Sequence, residues 1–261
     1  MGKVRHVLGI SGGKDSAALA IYLKSKGLVP EMEYYFADTG CELPETYDFI
    51  DKLEVYLGNK IARIGSEAPF EHHLFLQGNM LPSPRQRWCT VKMKLEPFER
   101  YVGTDDVYSY IAIRADEHRD GYISTKPNIR PVFPFIHEDI VRKDVFRILE
   151  ENVGVPEYYK WRSRSGCYFC FFQRHEEWLG LYDNHPKLFR KAIEFEKYNY
   201  DDKDGYTWIQ GITLNDLICR RERIMQIAEK RNEGEDKRTW QEKLVENCKD
   251  LDDQGCLICS L

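Results

Sequence analysis

Two sets of residues carry side chains that could do chemistry. Residues 11–16 read SGGKDS and follow the apolar run Val7, Leu8, Gly9, Ile10, with Ala17, Ala18, Leu19 and Ala20 behind them. Glycines on a turn between a strand and a helix let backbone N–H groups approach a ligand, and the positive end of the helix dipole favours an anion there. Lys14 adds a full positive charge. Ser11, Gly12, Gly13, Lys14, Asp15 and Ser16 therefore form the candidate binding set for a phosphate-bearing ligand. The P-loop pattern G-x-x-x-x-G-K-[ST] is not met, because Asp15 follows the lysine and Leu8 stands at the first glycine position. The second set is cysteine. Cys167 and Cys170 have the spacing of a ligand pair, and so do Cys256 and Cys259; zinc, iron–sulfur and redox sites all use it.

These residues need a framework. Hydrophobic patterning predicts strands near 4–10, 33–37, 60–64, 107–113 and 131–135, alternating with helices near 16–26, 44–57, 69–77, 91–101 and 139–152. Pro44 opens the second helix, and Gly154 ahead of Pro156 closes the last. This alternation is the mark of βα units in a parallel sheet. After residue 156 the strand signal fades into helical stretches near 174–198 and 213–230, then a charged segment over 231–254. The chain closes on GCLICSL, an apolar ending that reads as a tail docking on the rest. The expected organisation is an α/β domain over 1–156 and a helical, cysteine-rich extension over 157–261, with no internal repeat.

Composition narrows the class. A net charge of −5 over 261 residues argues against a protein that coats nucleic acid by itself, although local basic clusters can still bind anions. One such cluster interleaves Lys160, Arg162, Arg164 and Arg174 with Trp161, Tyr168, Phe169, Phe171 and Phe172. It suits phosphate backbones and stacked bases, or equally a wall of aromatics around a metal with the arginines meeting ATP or sulfate. Eight cysteines without an export signal point to metal ligation or sulfur chemistry rather than disulfides, with Cys219 expected in the core on the apolar side of its helix. No apolar run reaches the roughly 20 residues of a membrane span, and His6 stands where a myristoylation signal wants Ser or Thr, so the expected location is the cytoplasm. His72, His73 and His175 lack the spacing of a mononuclear histidine metal site.

The SGGKDS loop resembles the signature of the PP-loop ATP pyrophosphatases, and four further segments resemble their phosphoadenosine phosphosulfate reductase-like branch. These are FADTGCELPETYDFI (36–50), RQRWCTVKMKLEP (85–97), AIRADEHR (112–119) and KDVFRILEENVGVPEYY (143–159). The resemblance implies an open five-stranded parallel sheet sandwiched by helices, of the adenine nucleotide alpha hydrolase-like type, with ATP and Mg at the carboxyl ends of the strands. It implies that Asp38 and Thr39 join the loop in binding the nucleotide. Lys14, Asp38, Arg114 and Lys94 are the expected catalytic residues, the cations among them offsetting phosphate charge that builds up in the transition state. Lys92 is a weaker candidate, and Asp116 and Glu117 are open between holding Mg²⁺ and orienting Arg114.

The cysteines also resemble those of the branch. Cys89 lies 78 positions before Cys167, as in the cluster-bearing adenylylsulfate reductases, but Thr90 replaces the second cysteine of their upstream pair. The resemblance implies a four-iron cluster on Cys89, Cys167 and Cys170, with Cys256 or Cys259 as fourth ligand or one iron open to sulfide. Zinc on the two CxxC pairs is the less favoured alternative, and a tail cysteine carrying sulfur is a third. The implied function is ATP-driven adenylation of an acceptor oxygen for sulfur incorporation, as in DNA phosphorothioation or tRNA thiolation, with a cysteine desulfurase or other donor as partner. Reduction of adenylylsulfate or its 3′-phosphate is one alternative, and a nucleotide-sensing binding module is another.

Overall fold

The computed structural model describes residues 4–29, 31–118, 124–199 and 204–233. The first strand, β1 (Arg5–Gly9), leads through the loop into α1 (Lys14–Lys26); β2 (Met32–Asp38), α2 (Pro44–Leu57), β3 (Ile61–Gly65) and α3 (Phe70–Leu76) follow. The chain then runs through α4 (Trp88–Thr90), a π-helical turn at Val91–Leu95 and α5 (Glu96–Val102) into β4 (Val107–Tyr110) and β5 (Ile129–Val132). The expected single helix at 91–101 is thus three joined pieces, with Lys92 and Lys94 on the π turn. Pro97 sits at the start of α5 and cannot donate an intrahelical hydrogen bond, which accompanies the change of winding.

All five strands are parallel, in the order β3-β2-β1-β4-β5. The chain builds outward from β1 in one direction, then returns to add β4 on its other side. That reversal places a crevice outside the carboxyl ends of β1 and β4, where open α/β sheets bind ligands. Alternation along each strand packs both faces. Leu8, Tyr34 and Phe36 join Leu19, Ile50, Leu53, Val145 and Leu149 on one side, while Val7, Tyr35 and Val107 meet Phe98 and Val102 on the other. Glycine closes α1 in the left-handed conformation at Gly27 (φ 61°), which gives the last turn its carbonyl partners.

Beyond the sheet lie α6 (Pro134–His137), α7 (Arg142–Asn152), a 3-10 turn at Glu157–Lys160, α8 (His175–Asn184) and α9 (Pro186–Phe195). A short antiparallel hairpin of β6 (Lys197–Asn199) and β7 (Asp204–Tyr206) precedes α10 (Leu214–Cys219) and α11 (Arg221–Glu233). Pro186 divides the helix expected over 174–198, and the hairpin was not foreseen. An apolar cluster joins residues from both sides of position 156: Leu43, Phe70, Trp88 and Met93 pack with Tyr158, Phe169, Trp178, Phe189 and Trp208. Among the described residues, no helix is long and apolar enough to cross a membrane.

Candidate functional site

The loop between β1 and α1 is shaped by hydrogen bonds within it and by contacts from far along the chain. Ser16 Oγ accepts from the Ser11 N–H at 3.1 Å and donates to the Gly13 carbonyl at 3.3 Å. Gly12 has φ +74°, and a Cβ there would lie 2.4 Å from Thr46 Cγ2; at Gly13 a Cβ would lie 2.5 Å from Ser165 Oγ. Both positions therefore demand glycine for close approach, and Gly12 for its backbone as well. From the 3-10 turn after α7, the Tyr158 hydroxyl donates to the Gly12 carbonyl at 2.7 Å, and the Tyr159 hydroxyl accepts from the Lys14 N–H at 3.0 Å. That N–H is one of the α1 donors without an intrahelical acceptor.

Charge converges on Asp15. Its carboxylate accepts from Lys14 Nζ at 3.0 Å through one oxygen and from Arg114 Nη1 at 2.8 Å through the other. Burial pushes the Asp15 pKa up, but Lys14 and Arg114 outweigh it and hold the carboxyl well below the usual range. Arg114, fully buried just past β4, also binds Asp116 at 2.9 Å and Glu117 at 2.6 Å. Burial alone would lower its pKa; Asp15, Glu117 and Asp116 raise it further, so it is a permanent cation. Asp116 and Glu117 thus orient Arg114, and Asp116 also accepts from the Arg142 N–H at 3.4 Å.

On the other side of β1, Asp38 ends β2 and accepts through Oδ1 from the Gly40 N–H and the Tyr47 hydroxyl, both at 2.8 Å. Asp38, Thr39, Gly65 and Ser66 line a cleft of about 490 Å³ between the ends of β2 and β3. That volume falls in the range of small-ligand sites.

Thr39 also borders a second cavity, lined by Cys89, Cys167 and Cys170 with Lys94, Met93 and Phe172. Its hydroxyl lies 3.0 Å from Glu42 Oε1, to which it donates, and 3.2 Å from Cys167 Sγ. Arg162, buried, fixes the backbone of the cysteine turn by donating to the carbonyls of Gly166 (3.0 Å) and Cys167 (2.8 Å). Burial pushes the Cys167 thiol far up; Glu42 adds to this and Lys94 opposes it. The donor set suits a soft metal in kind, since three thiols share one largely apolar cavity. It is incomplete in placement. Among the described residues, no group of three His, Cys, Asp or Glu side chains is positioned to hold a metal ion. Cys256 and Cys259 lie outside the described residues.

The sequence pattern of the phosphoadenosine phosphosulfate reductase domain matches residues 5–159, more than half of the chain. The chain belongs to that family. The matched region of this phosphoadenosine phosphosulfate reductase-domain protein runs from β1 to Tyr159, so it includes the loop, Arg114 and Cys89 but stops short of Cys167. Two uncharacterized proteins of Methanocaldococcus jannaschii are similar to it. MJ0066 is 30% identical over 218 residues, covering 78% of this chain and 44% of the relative; MJ0973 is 28% identical over 207, covering 74% and 48%. The chain spans less than half the length of these relatives. An uncharacterized nin region protein, ORF290, of Escherichia phage lambda is 26% identical, covering 63% of this chain and 65% of the relative. The phosphoadenylyl-sulfate reductase of Candida auris, solved as a phosphate complex, superposes with a TM-score of 0.45 at 15% identity, covering 59% of this chain and 75% of that one.

Within this family member, the fold brings Ser11 to Ser16 and Arg114 together at the strand-order reversal, and Asp38 and Thr39 one strand over. Lys94 faces the thiol cavity, whereas Lys92 pairs with Glu96 at 2.6 Å as an ordinary helix-surface ion pair. Cys219 is exposed, contrary to the expectation that it is core. It sits two residues past the buried Leu217, which rotates it to the opposite face of α10. Sequence reasoning missed Tyr158, Tyr159, Glu42 and Ser165, and named Arg162 only as a member of a basic cluster. Nothing in the local spacing of Tyr158, Tyr159, Glu42 or Ser165 announces contacts more than a hundred residues away, although the tyrosine pair, which follows Pro156 and Glu157, stood in a segment already singled out.

Proposed function

We propose that the protein is an ATP pyrophosphatase that adenylates an acceptor oxygen so that sulfur can replace it. The observation that carries this reading is the buried Lys14–Asp15–Arg114 arrangement at the mouth of the glycine loop. Two cations and a helix N-terminus meet there, as a polyphosphate requires. The β- and γ-phosphates of ATP would lie against the loop from Ser11 to Ser16, with Lys14 and Arg114 stabilising charge on the departing pyrophosphate. Magnesium would accompany the nucleotide. Asp38 and Thr39 would hold the adenosine side in the adjoining cleft.

In the first step an acceptor oxygen bonds to the α-phosphorus and the bond from that phosphorus to the β-bridging oxygen breaks, releasing pyrophosphate. In the second, sulfur bonds to the activated centre and the original oxygen leaves with AMP, which is a far better leaving group than bare oxide. Thr39 supports this pairing of steps, since it borders both the nucleotide cleft and the thiol cavity. Cys89, Cys167 and Cys170 would hold a four-iron cluster, its fourth iron either ligated by Cys256 or Cys259 or open to bind sulfide. A cysteine desulfurase or other donor would deliver the sulfur, and DNA or tRNA is the proposed acceptor class.

The test is product analysis with radiolabelled ATP, candidate acceptors and a sulfide source. AMP and pyrophosphate are expected, falling at least about 100-fold in Lys14→Ala. Exclusive formation of ADP overturns the proposal, and sulfite release from adenylylsulfate with thioredoxin replaces it with the reductase reading.

A further inference from the structure

The cleft between the ends of β2 and β3 draws its lining from two parts of the chain. Asp38, Thr39, Ser66 and Glu71 belong to the region that the family pattern matches, whereas Tyr168, Leu188 and Lys191 come from beyond residue 159. Leu188 and Lys191 stand three positions apart on α9, on one face of that helix. An adjoining face anchors the helix: Phe189, Ala192 and Phe195 are buried in the apolar cluster, and Phe195 meets Phe70, itself a cleft residue, with ring centres 5.2 Å apart. Lys191 is exposed and makes neither a hydrogen bond nor an ion pair with any described residue. Its charge is nevertheless felt inside the cleft. At Cys41, burial, then Glu42 and Glu71, push the thiol up, and Lys191 opposes them.

The charges around the cleft decide what fits it. Asp38, Glu42, Glu67 and Glu71 outnumber Arg63 and Lys191, and Arg63 is already held by Asp51 at 2.7 Å. An excess of carboxylates repels phosphate, so a nucleotide seated here keeps its phosphates at the glycine loop and offers the cleft a neutral nucleoside. Ribose hydroxyls can donate to the carboxylates, but the ring nitrogens of a base need donors. The hydroxyls at hand are committed: Thr39 donates to Glu42 at 3.0 Å, and Ser66 Oγ lies 2.6 Å from His73 Nε2. Lys191 brings the three N–H groups of its ammonium to the same space.

We infer that Lys191 reads the base of the bound nucleotide, donating a charged hydrogen bond to one ring nitrogen of adenine. Base recognition then depends on the segment after residue 159, which the family pattern does not include. The assignment rests on the adenylating reading for the identity of the nucleotide as ATP.

Calorimetry of the full chain with ATP, with its 1-deaza, 3-deaza and 7-deaza analogues and with inorganic pyrophosphate provides the test. Lys191→Met keeps an unbranched apolar stem and removes the donor. ATP affinity falls at least about tenfold in that variant, the scale of a hydrogen bond to a charged group. One deaza analogue shows the same loss on the unaltered protein, and Lys191→Met weakens that analogue by less than about twofold more, because both changes delete one interaction. Pyrophosphate has no base and binds the two proteins within about twofold of each other. Lys187 lies one turn earlier on α9 and outside the cleft, so Lys187→Met holds ATP within about twofold of the unaltered protein. Four results overturn the assignment: unchanged ATP affinity in Lys191→Met, an equal loss there for ATP and every analogue, a matching loss for pyrophosphate, or no ATP binding by the unaltered protein. Pyrophosphate release from ATP with candidate acceptors is measured in parallel. Its absence alongside the expected loss of affinity defeats adenylation and leaves Lys191 in place, whereas release with unchanged affinity defeats the role of Lys191 alone.

Discussion

The Arg114 guanidinium reaches across the gap between β4 and β1 to hold the Asp15 carboxylate at 2.8 Å, linking positions 99 residues apart in sequence. Because Asp15 also holds Lys14, one carboxylate keeps two buried cations together in the absence of polyphosphate. Asp15→Asn leaves those cations facing each other without their shared counter-charge. Breaking a buried pair costs about 3 to 5 kcal/mol, so the thermal midpoint should fall by several degrees. Inorganic pyrophosphate should restore more of that loss in Asp15→Asn than it adds to the unaltered protein, as differential scanning fluorimetry will show.

Tyr159→Phe removes the hydroxyl that accepts from the Lys14 N–H while leaving the ring in its packed position. A lost buried hydrogen bond is worth about 1 kcal/mol, and the loop loses one of its two tyrosine ties. ATP should bind about five- to tenfold more weakly by calorimetry, with circular dichroism unchanged. Tyr158→Phe should behave alike, because its hydroxyl holds the Gly12 carbonyl.

Gly12→Ala combines a strained φ of +74° with a Cβ only 2.4 Å from Thr46 Cγ2. Together these should destabilise the fold by about 2 to 4 kcal/mol in urea unfolding. Paired with Thr46→Ser, which removes the clashing methyl, part of that loss should return; no recovery would mean that the backbone conformation alone is responsible.

Thiol reactivity should follow burial. Cys219 is exposed on α10, whereas burial first and Glu42 second push Cys41 up to about 12, and burial first and Glu42 second raise Cys167 well above its ordinary value. Mass spectrometry after brief iodoacetamide treatment at pH 8 should find Cys219 modified well before either of the others.

Glu196 gives stability a pH dependence of known sign. Burial pushes its pKa up to about 7, against the opposing effect of the Leu214 and Trp208 N–H groups that donate to it. A carboxyl raised in the folded state binds its proton more tightly there than in the unfolded chain. Its contribution is complete below the unfolded value near ~4.5 and is lost as pH rises through about 7. The denaturation midpoint should therefore decline between pH 5 and pH 8, and Glu196→Gln should flatten that decline.

The parts of this fold that were legible in the sequence are those whose signals are local. An apolar run, SGGKDS and an alanine-rich helix start specify β1, the turn and α1 within about twenty positions, and each parallel strand announces itself by a short β-rich run between turns. The π turn at Val91–Leu95, the break at Pro186 and the hairpin of β6 and β7 depend on tertiary packing or on competition between neighbouring residues, and pattern alone did not isolate them. The same divide runs through the site. Lys14 and Arg114 stand in recognisable segments, but their common partner Asp15 required the sheet to bring β1 and β4 side by side. Glu42 meets Cys167 only because the segment after 156 folds back over the end of β2, whereas Arg162 holds the cysteine turn from within that segment.

The hydroxyls of Tyr158, Tyr159 and Ser165 rest directly on Gly12, Lys14 and Gly13. A fragment ending at residue 156 would retain every strand of the parallel sheet yet forfeit the side chains that roof its glycine loop, and truncation to a minimal α/β domain would remove the very pieces that set the loop's shape.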